Sequence, residues 1–578
     1  MTTINAPLSQ GHPAQKKLRP PTFLRGIRGV REVPKEIIAG VTLAALMIPL
    51  NIGYAQVAGL PPVVGLYAAI APMIAFALFS TSRNLVASPD APIAALIGGL
   101  LASLAAPDDP RYVQLAFGLA LLCALIFFLF WLFRLGFLAN FLSRAVLIGF
   151  ITGLGIEVFT SQLKKIMGVS LEAEGYFREV IELIRKIPEA NLYAVAIGVG
   201  SVAIIRLLKR YAPRLPGALI ALVLMTAVVA IFNLDARGVS VLGAVPSGLP
   251  TPVWPQLALG DYVKLLPGAL AICGVTLAEG LLIGRKYAQK YGDKLDADQE
   301  MFAFGAANAA AGLTGAFVVG SSASRTAAMD GAGARSQLPS LVAAGVVAIL
   351  LLFFSPLLAL LPNAALGGIV ANAVLSLIEV GELKELFHQR RSEFFIAIVA
   401  LLSVLVLGAL PAVVIAFLLS TIVVVGSASK PHTAVLQVQP DAQGALVEAA
   451  AQSHPSSTLP GLIVYRFSSS LYFANANAFT EEVEHLIEDV EAQGEKVRWF
   501  VLDAEAINDV DTTGAEALRV AHDYLSKRGI VFALARANPI VIGFLETYEL
   551  DEAIPESRRF ATNRQAIEAY SRATDAGS

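Results

Sequence analysis

Apolar runs long enough to cross a bilayer recur along the first three quarters of the chain. A spanning helix needs about 20 mostly apolar residues, and such runs follow one another from residue 37 to about residue 426. One clear run covers residues 115–133, and another, 394–426, is long enough for two spans broken near Pro411. The pattern predicts a polytopic α-helical membrane protein with twelve to fourteen spans.

Two further apolar runs are short and interrupted. Residues 85–100 contain Pro89 and Pro92, and residues 318–338 contain several serines and glycines. Interrupted segments at matching places in two halves of a transporter predict discontinuous helices that meet near the middle of the membrane. Each is third in its half on a count of fourteen spans, so a seven-plus-seven inverted repeat fits. The alternative, that both are loops outside the membrane, is disfavoured by the apolar helices that closely flank each of them.

Composition agrees with a membrane protein and excludes several functions. Hydrophobic residues make up 56% of the chain and charged residues 15%, at a mean hydropathy of +0.66, which is not typical of a soluble protein. The net charge of -2 offers no basic surface for nucleic acid. Cys123 and Cys273 lie in apolar runs and the six histidines lie outside the spans, so we expect no disulfide, metal or other cofactor. Neither a nucleotide-binding glycine loop nor a catalytic histidine arrangement is present, so we expect no enzyme.

Basic residues predict the orientation. Seven lysines and arginines lie in the polar tail of residues 1–35, and four more lie within residues 206–214, after the sixth candidate span. Cytoplasmic loops carry an excess of positive charge, so both groups are expected in the cytoplasm, as is the C-terminus after an even number of spans. Lys164 and Lys165 fall on the outer side and are the exception.

From about residue 461 the pattern changes to that of a soluble α/β domain. Predicted strands begin at residues 461, 497 and 530 and alternate with amphipathic helices, which implies a parallel sheet. The run that begins at Pro539 is predicted as the final helix. The predicted domains are a cytoplasmic tail (1–35), a transmembrane transport domain (36–428), a linker (429–460), the α/β domain (461–570) and a mobile tail (571–578).

Four segments resemble signatures of one transporter family. PLNIGYAQVAGLPPVVGLYAAIAP (49–72) and residues 141–168 are similar to the first-helix and fifth-helix signatures of the sulfate permease (SulP) anion transporters. SSASRTAAMDGAGARSQL (321–338) resembles the tenth-helix signature, and the C-terminal domain with DVDTTGAEAL (509–518) is similar to a STAS domain. The resemblance extends from about residue 30 to residue 570.

The resemblance implies both an architecture and a mode of action. It implies a fourteen-helix membrane unit of two inverted repeats, divided into core and gate subdomains and followed by a cytoplasmic STAS domain. It places an anion site in the core, between the third and tenth helices. It also implies a homodimer and an elevator-like movement of the core against the gate.

Helix termini predict the same site from physical chemistry. A helix that begins inside the membrane presents unpaired N–H groups and a partial positive charge at its N-terminus, and two such ends facing each other make an anion site. The candidate substrate-binding residues, with Tyr54 included through the resemblance, are Tyr54, Ser88, Asp90, Ala91, Ser321, Ser322, Ala323, Ser324 and Arg325.

The tenth-helix motif contributes the polar groups of this site. The family pattern gives hydroxyl or backbone contacts to Ser322 and Ser324, which would face one side of an extended segment; the alternative is that they cap the helix. Arg325 matches the family's arginine beside the site, where its positive field would attract the anion. The alternatives are an ion pair with Asp90 or Asp330 and a snorkelling side chain.

Glu279 is the acid placed most clearly inside a predicted span. A carboxylate at this depth is costly, so we expect it to face the interior and to carry a proton. The family has acidic residues at this eighth-helix position that are implicated in cation coupling. Ile283 stands where sodium-coupled relatives tend to have a hydroxyl, so proton coupling is expected. The alternative is an ion pair between Glu279 and Arg325.

Other positions match or depart from the family pattern. Tyr54 aligns with an aromatic residue that lines the pocket, the alternative being interior packing. Asp90 departs from the apolar or neutral residue of many relatives and is expected to cap the half-helix; facing the cavity, it would repel a doubly charged anion unless protonated. Leu50 departs from the family pattern, because many relatives have glutamine at this position. The next residue, Asn51, carries an amide side chain. Thr512 matches a position that is phosphorylated in anti-sigma-factor antagonists, which would give it a regulatory role. A role as an ordinary helix N-cap is favoured instead.

Together these features predict a proton-coupled secondary active transporter in the inner membrane of a bacterium. Its expected partners are a small anion (sulfate, bicarbonate or a dicarboxylate), protons, the lipid bilayer and a second copy of the chain, with no nucleic acid. The first alternative is a passive anion channel or exchanger on the same fold. A membrane-tethered STAS signalling protein and a nucleobase carrier are less favoured.

Overall fold

The computed structural model describes residues 32–136, 143–173, 175–212, 215–438, 446–448 and 457–575. The chain divides into two compact units, Met1–Ser420 and Thr421–Ser578. Six of the seven basic residues predicted for the N-terminal tail lie outside the described residues.

The first unit consists of helices and two very short strands. The strands β1 (Ala87–Ser88) and β2 (Gly320–Ser321) each precede a short helix. The helices are α1 (Val33–Val57), α2 (Pro62–Tyr67), α3 (Ala71–Phe79), α4 (Ala91–Ala102), α5 (Pro110–Leu132), α6 (Arg144–Met167), α7 (Tyr176–Arg185), α8 (Leu192–Tyr211), α9 (Gly217–Phe232), α10 (Leu259–Tyr291), α11 (Ala297–Leu313), α12 (Ala323–Gly331), α13 (Leu338–Phe353), α14 (Ser355–Leu358), α15 (Asn363–Val374), α16 (Val380–Gln389), α17 (Arg391–Leu407) and α18 (Ala409–Ser429).

Many of these helices have the length and composition of membrane spans. In the described part of the chain, eight helical segments are long and apolar enough to cross a membrane, with α2–α3 and α15–α16 each counted as one. The helices α4, α9 and α13 are apolar but shorter. The helix is interrupted between α17 and α18 at Gly408, whose φ is 86°. Pro411 lies in the first turn of α18. The polytopic helical unit is therefore confirmed, while the count of fourteen spans stays a prediction.

Small residues allow the helices to approach closely in two bundles. The first bundle comprises α1–α5 and α10–α13, and the second comprises α6, α8, α9, α15 and α17. In the first, a Cβ added at Gly312 of α11 would lie 2.8 Å from the carbonyl oxygen of Phe117 in α5. In the second, a Cβ added at Gly149 of α6 would overlap the carbonyl oxygen of Ala397 in α17. Such close backbone approach is how helices associate in lipid.

The second unit is a six-stranded sheet with helices on its faces. Its strands follow the order β4-β3-β5-β6-β7-β8; β5 to β8 are parallel, and β3 and β4 are antiparallel. Its elements are β3 (Thr433–Val438), β4 (Leu446–Glu448), β5 (Leu462–Phe467), α19 (Ala476–Ala492), β6 (Trp499–Asp503), α20 (Thr512–Lys527), β7 (Val531–Ala535), α21 (Pro539–Thr547), β8 (Arg559–Phe560) and α22 (Asn563–Asp575).

Alternating side chains of the central strands form a core on each side of this sheet. Phe500 and Leu502 of β6 belong to the apolar cluster that includes residues of α19 and α20. Val501, between them, belongs to the cluster that includes Ala566 of α22. Successive strand residues point to opposite faces, so the central strands are apolar throughout.

Three predictions for this unit are wrong. The segment predicted as a linker contains β3 and β4, because residues 433–435 extend the sheet in antiparallel register with β5. The helix beginning at Pro539 is not the last element, since β8 and α22 follow it. Residues 571–575 continue α22 rather than form a mobile tail, and the last three residues lie outside the described residues.

Candidate functional site

The two predicted half-helices meet inside the first unit. β1 pairs with β2 in antiparallel register, Ala87 opposite Ser321 and Ser88 opposite Gly320, and the half-helices α4 and α12 begin directly after these strands. The crossing is crowded at Gly320, where an added Cβ would overlap Cδ1 of Ile93 and lie 2.9 Å from Oγ1 of Thr276. The pairing brings the two helix N-termini to one place, which confirms the discontinuous helices predicted from the sequence.

The N-terminus of α4 has few free N–H groups. Asp90 is its N-cap, and its carboxylate Oδ1 accepts a hydrogen bond of 2.8 Å from the N–H of Ala91. Pro92 has no N–H, and the N–H of Ala94 donates to the carbonyl of Asp90. Of the first turn, Ile93 alone keeps an N–H for which the described residues supply no acceptor. The predicted capping role of Asp90 is therefore confirmed.

The N-terminus of α12 is much less satisfied. Ser322 precedes the helix in extended conformation (φ −125°, ψ 109°), and its side chain makes no capping hydrogen bond. Its own N–H donates to the carbonyl of Val86 at 3.1 Å. The N–H groups of Ala323, Ser324 and Arg325 find no acceptor among the described residues. Three donors and the positive end of the helix dipole therefore remain for a ligand.

The serines of the motif occupy different environments. Ser321 and Ser322 are fully buried, whereas Ser324 and Ala323 are exposed. Ser324 lies in the first turn of α12, not in an extended segment as the sequence suggested, and its Oγ is 3.4 Å from that of Ser322. The two hydroxyls still lie close together, because the chain turns into the helix between them.

Arg325 is held by neutral oxygens and not by an ion pair. Its guanidinium is 1% exposed and donates to Oδ1 of Asn51 at 2.7 Å, to the hydroxyl of Ser88 and to the carbonyl of Pro89. No acidic side chain of the described residues forms a salt bridge with it; Asp330 bonds instead to Lys290 at 2.6 Å. The direct salt bridges predicted as alternatives are therefore not formed, and among the described acids Asp90 acts on Arg325 only at longer range.

Asn51 is a site residue that the sequence reasoning missed. Besides accepting from Arg325, it donates to the carbonyl of Gly65 at 3.1 Å, so it is fixed in position. Tyr54, one turn later on α1, is 3% exposed, and its ring centre lies 5.5 Å from the guanidinium carbon of Arg325. The polar Asn51 three residues before an aromatic, inside an otherwise apolar span, was the available signal.

Two side chains of α11 hold the segments before both half-helices. Asn308 pairs with the backbone of Val319, donating to its carbonyl at 2.9 Å and accepting from its N–H at 3.0 Å, just before β2. Glu300 is fully buried and accepts four hydrogen bonds from the loop between α3 and β1, at Ser80, Thr81 and Ser82. One rigid helix thus sets the register of both strands.

A cavity leads to the exposed end of α12. Its volume is about 690 Å³, with α1 and α12 on one side and α8, α9 and α15 on the other. Ser324 and Arg325 line one part of it and Lys209 another, and none of its described lining residues is acidic. The cavity therefore reaches Ser324 and Arg325, in the first turn of α12, from the space between the two bundles.

Glu279 lies on α10 beside β2. Its neighbour Gly280 packs between α11 and β2, since a Cβ added there would lie 3.0 Å from the ring of Phe304 and 3.5 Å from Cβ of Ser321. Glu279 makes no hydrogen bond or salt bridge to any residue that the structure describes, so the predicted alternative of a pair with Arg325 is wrong. The hydroxyls of Thr276 and Ser321, both buried near β2, also lack partners in the described chain. Within the described residues, no group of three or more metal-binding side chains is present.

Thr512 does not have the N-cap role that the sequence favoured. Asp511 is the N-cap of α20, and its carboxylate accepts from the N–H of Gly514 at 2.7 Å. Thr512 is the first residue of the helix and is exposed. The capping prediction was displaced by one residue because aspartate competes effectively for the same N–H groups.

Comparison with known proteins assigns the family. Residues 34–400 match the Sulfate permease family and residues 455–566 match the STAS domain. A probable sulfate transporter of Mycobacterium tuberculosis is 40% identical over 537 residues, covering 93% of this chain and 95% of that protein. Sulfate transporter 1.2 of Arabidopsis thaliana is 28% identical over 562 residues, covering 92% and 84%.

Solved structures show the same fold. The murine Solute Carrier 26 family member A9 anion transporter in the inward-facing state superimposes with a TM-score of 0.85 at 24% identity, over 94% of this chain and 92% of that one. The transmembrane domain of the cyanobacterium bicarbonate transporter BicA superimposes with a TM-score of 0.59 at 22% identity, over 68% and 98%. The chain belongs to the Sulfate permease family of multi-pass membrane transporters and carries a C-terminal STAS domain.

Proposed function

We propose that the chain is a secondary active transporter that binds a small oxyanion at the N-terminus of α12. The observation that carries this proposal is the set of three N–H groups, at Ala323, Ser324 and Arg325, that have no acceptor in the described chain. Two of these residues, Ser324 and Arg325, line the cavity. Backbone N–H groups at a helix N-terminus bind oxyanions without a contacting cation. The exposed hydroxyl of Ser324 supplies a further donor.

The charges around this terminus favour an anion. Arg325 is buried directly behind it and donates to neutral oxygens, so its positive charge acts on the site as a field and not as a direct ligand. Asp90 is the nearest opposing charge, at the N-cap of α4. An ionised Asp90 would offset Arg325, so protonation of Asp90 would favour a doubly charged anion over a singly charged one.

Sulfate is the proposed substrate. The Mycobacterium tuberculosis relative named a probable sulfate transporter is alignable over nearly the whole of both chains, and the sulfate transporters of Arabidopsis thaliana extend the series. Bicarbonate and dicarboxylates are the competing substrates of the same site, since each offers carboxylate or oxyanion oxygens to the same N–H groups.

Proton coupling through Glu279 is the second part of the proposal. The carboxylate lies on α10 beside β2, where Gly280 packs toward Ser321, and it has no partner among the described residues. Ile283, one turn later, offers no side-chain oxygen to a sodium ion. A proton on Glu279 would lower the cost of moving this acid through the membrane together with the bound anion.

Alternating access would move the first bundle, which carries both half-helices, against the second in an elevator-like step. The cavity between the bundles supports this movement because it opens to the site along one side of α1. We further propose a homodimer in the inner membrane of a bacterium. The N-terminus and the STAS domain would lie in the cytoplasm, because the distribution of basic residues favours that orientation.

Uptake into proteoliposomes tests the proposal. Labelled sulfate, bicarbonate and fumarate are supplied separately, with and without an inward proton gradient and with sodium present or absent. The proposal expects sulfate uptake that rises with the proton gradient and is indifferent to sodium. Uptake that needs sodium, or that ignores both gradients, would support a sodium symporter or a passive channel or exchanger instead.

Two acidic variants separate coupling from structure. Glu279→Gln should abolish proton-driven accumulation and retain sulfate exchange, because the bound anion keeps its N–H donors. Glu157→Gln is the matched control: Glu157 is another acid inside a membrane helix, with one carboxylate oxygen buried and unpartnered within the described chain. Equal loss in both variants would remove the coupling role of Glu279.

A deletion tests the alternative of a signalling protein. If the chain without residues 440–578 still transports sulfate, signalling through the STAS domain is excluded as the main function.

A further inference from the structure

One face of α1 follows the boundary between the two bundles along its whole length. Ile38, Thr42, Leu46 and Leu50 recur every fourth residue and line the cavity. Gly53 continues this face, and a Cβ added there would overlap Cγ2 of Val370 in α15. The first half of the face is thus open to water, whereas the second half is closed against the second bundle.

The closed end of this face is sealed by polar contacts. Gln56, three residues after Gly53, accepts a hydrogen bond of 3.0 Å from Nζ of Lys165 in α6. The same amide donates to Oδ1 of Asn363, at the start of α15, at 3.0 Å. A single side chain of the first bundle therefore joins two helices of the second bundle.

Lys165 is an unusual component for a seal. Its ammonium carries three donors, and among the described residues its one hydrogen-bond partner is the neutral amide of Gln56. No acidic side chain of the described chain forms a salt bridge with it. An ammonium in this position is costly without a negative partner, so a structural role alone would be met better by an uncharged residue.

We infer that Lys165 is a second anion-binding residue, which receives the small anion on the side of the membrane opposite the cavity. This inference rests on the proposed function. In the present state Lys165 bonds to Gln56 and the pathway is closed on that side. When the bundles part, Gln56 moves away with α1 and the ammonium is left facing the opened path. The position also explains why Lys165 departs from the distribution of basic residues, since a cation for an incoming anion is needed on the outer side.

Sided transport kinetics test the inference. Initial rates of labelled sulfate uptake are measured in right-side-out and in inside-out membrane vesicles, which present the closed side and the cavity side respectively. Lys165→Gln should raise the KM for sulfate from the closed side roughly tenfold, because a charge-assisted contact is lost. The KM from the cavity side should stay within about twofold, which also shows that the variant is folded.

Two further variants make the outcome decisive. Lys164→Gln removes the same charge one position earlier, from a side chain for which no hydrogen bond or salt bridge is found in the described chain, and should leave both KM values unchanged. Lys165→Arg should retain a low KM on the closed side. An equal change of KM on both sides in Lys165→Gln, or no change on either, overturns the inference. Absence of sulfate flux in the unaltered protein overturns the proposed function itself.

Discussion

Replacing Ala323 with proline removes one N–H group from the proposed site and little else. Ala323 is the first residue of α12 and its side chain is exposed. Proline is favoured at this first helical position because its φ suits the helix and its missing N–H has no intrahelical acceptor. The preceding Ser322 is extended (φ −125°, ψ 109°), which is the conformation that a residue before proline prefers.

The expected loss follows from the bond that is removed. A hydrogen bond to a charged group contributes about 1.5–3 kcal/mol, so the dissociation constant of a bound oxyanion should rise roughly 10- to 150-fold. The remaining N–H groups of Ser324 and Arg325 keep the site in place. Thermal stability should be unchanged or slightly higher, since proline restricts the unfolded chain.

The assay is sulfate uptake as a function of concentration, together with thermal unfolding of the purified variant. Ala323→Ser is the matched control, because it alters the same exposed position and keeps the N–H. We expect a raised KM for sulfate in Ala323→Pro and an unchanged KM in Ala323→Ser. A proline variant that is folded and transports sulfate with the unaltered KM would refute the placement of the anion at this terminus.

Three other variants test the surroundings of the site. Asn51→Asp puts a carboxylate where Oδ1 now accepts from Arg325 and so offsets the positive charge beside the site; because the repulsion scales with the charge of the anion, the KM should rise more for sulfate than for bicarbonate. Gly320→Ala should lower the stability of the full chain by about 1–3 kcal/mol in thermal unfolding, because the new Cβ overlaps Cδ1 of Ile93 and crowds Thr276, and Ile93→Val, which removes only Cδ1, should recover part of the loss. Asp511→Ala should cost about 1 kcal/mol of local stability through the lost N-cap, measured as faster hydrogen exchange in α20, while sulfate flux is unchanged.

The position of the half-helices was predictable from local sequence. Pro89, Pro92 and the serine-rich stretch interrupt apolar runs, and such interruptions in lipid need a partner for the freed backbone groups. Each half-helix supplies that partner to the other through the pairing of β1 with β2. The capping of α4 by Asp90 was also visible, since it depends on neighbouring residues only.

The unequal availability of N–H groups at the two helix ends could not be predicted. It depends on which side chains bend back to the backbone: Asp90 does so at α4, whereas Ser322 does not at α12. The partners of Arg325 were hidden for a related reason, since Asn51 and Ser88 lie far from it in sequence. Strand β3 was missed because it lies in a polar segment of the sequence and is stabilised by its pairing with β5, which is distant in the sequence.

The location of a bound anion would decide whether the N-terminus of α12 is the binding site. A cryo-electron microscopy structure of the full chain with saturating selenate, an electron-dense analogue of sulfate, would locate it. We expect density within about 3 Å of the N–H groups of Ala323 and Ser324, with the guanidinium of Arg325 still bonded to Asn51. Density elsewhere in the cavity, for example beside Lys209, together with an empty N-terminus of α12, would contradict it.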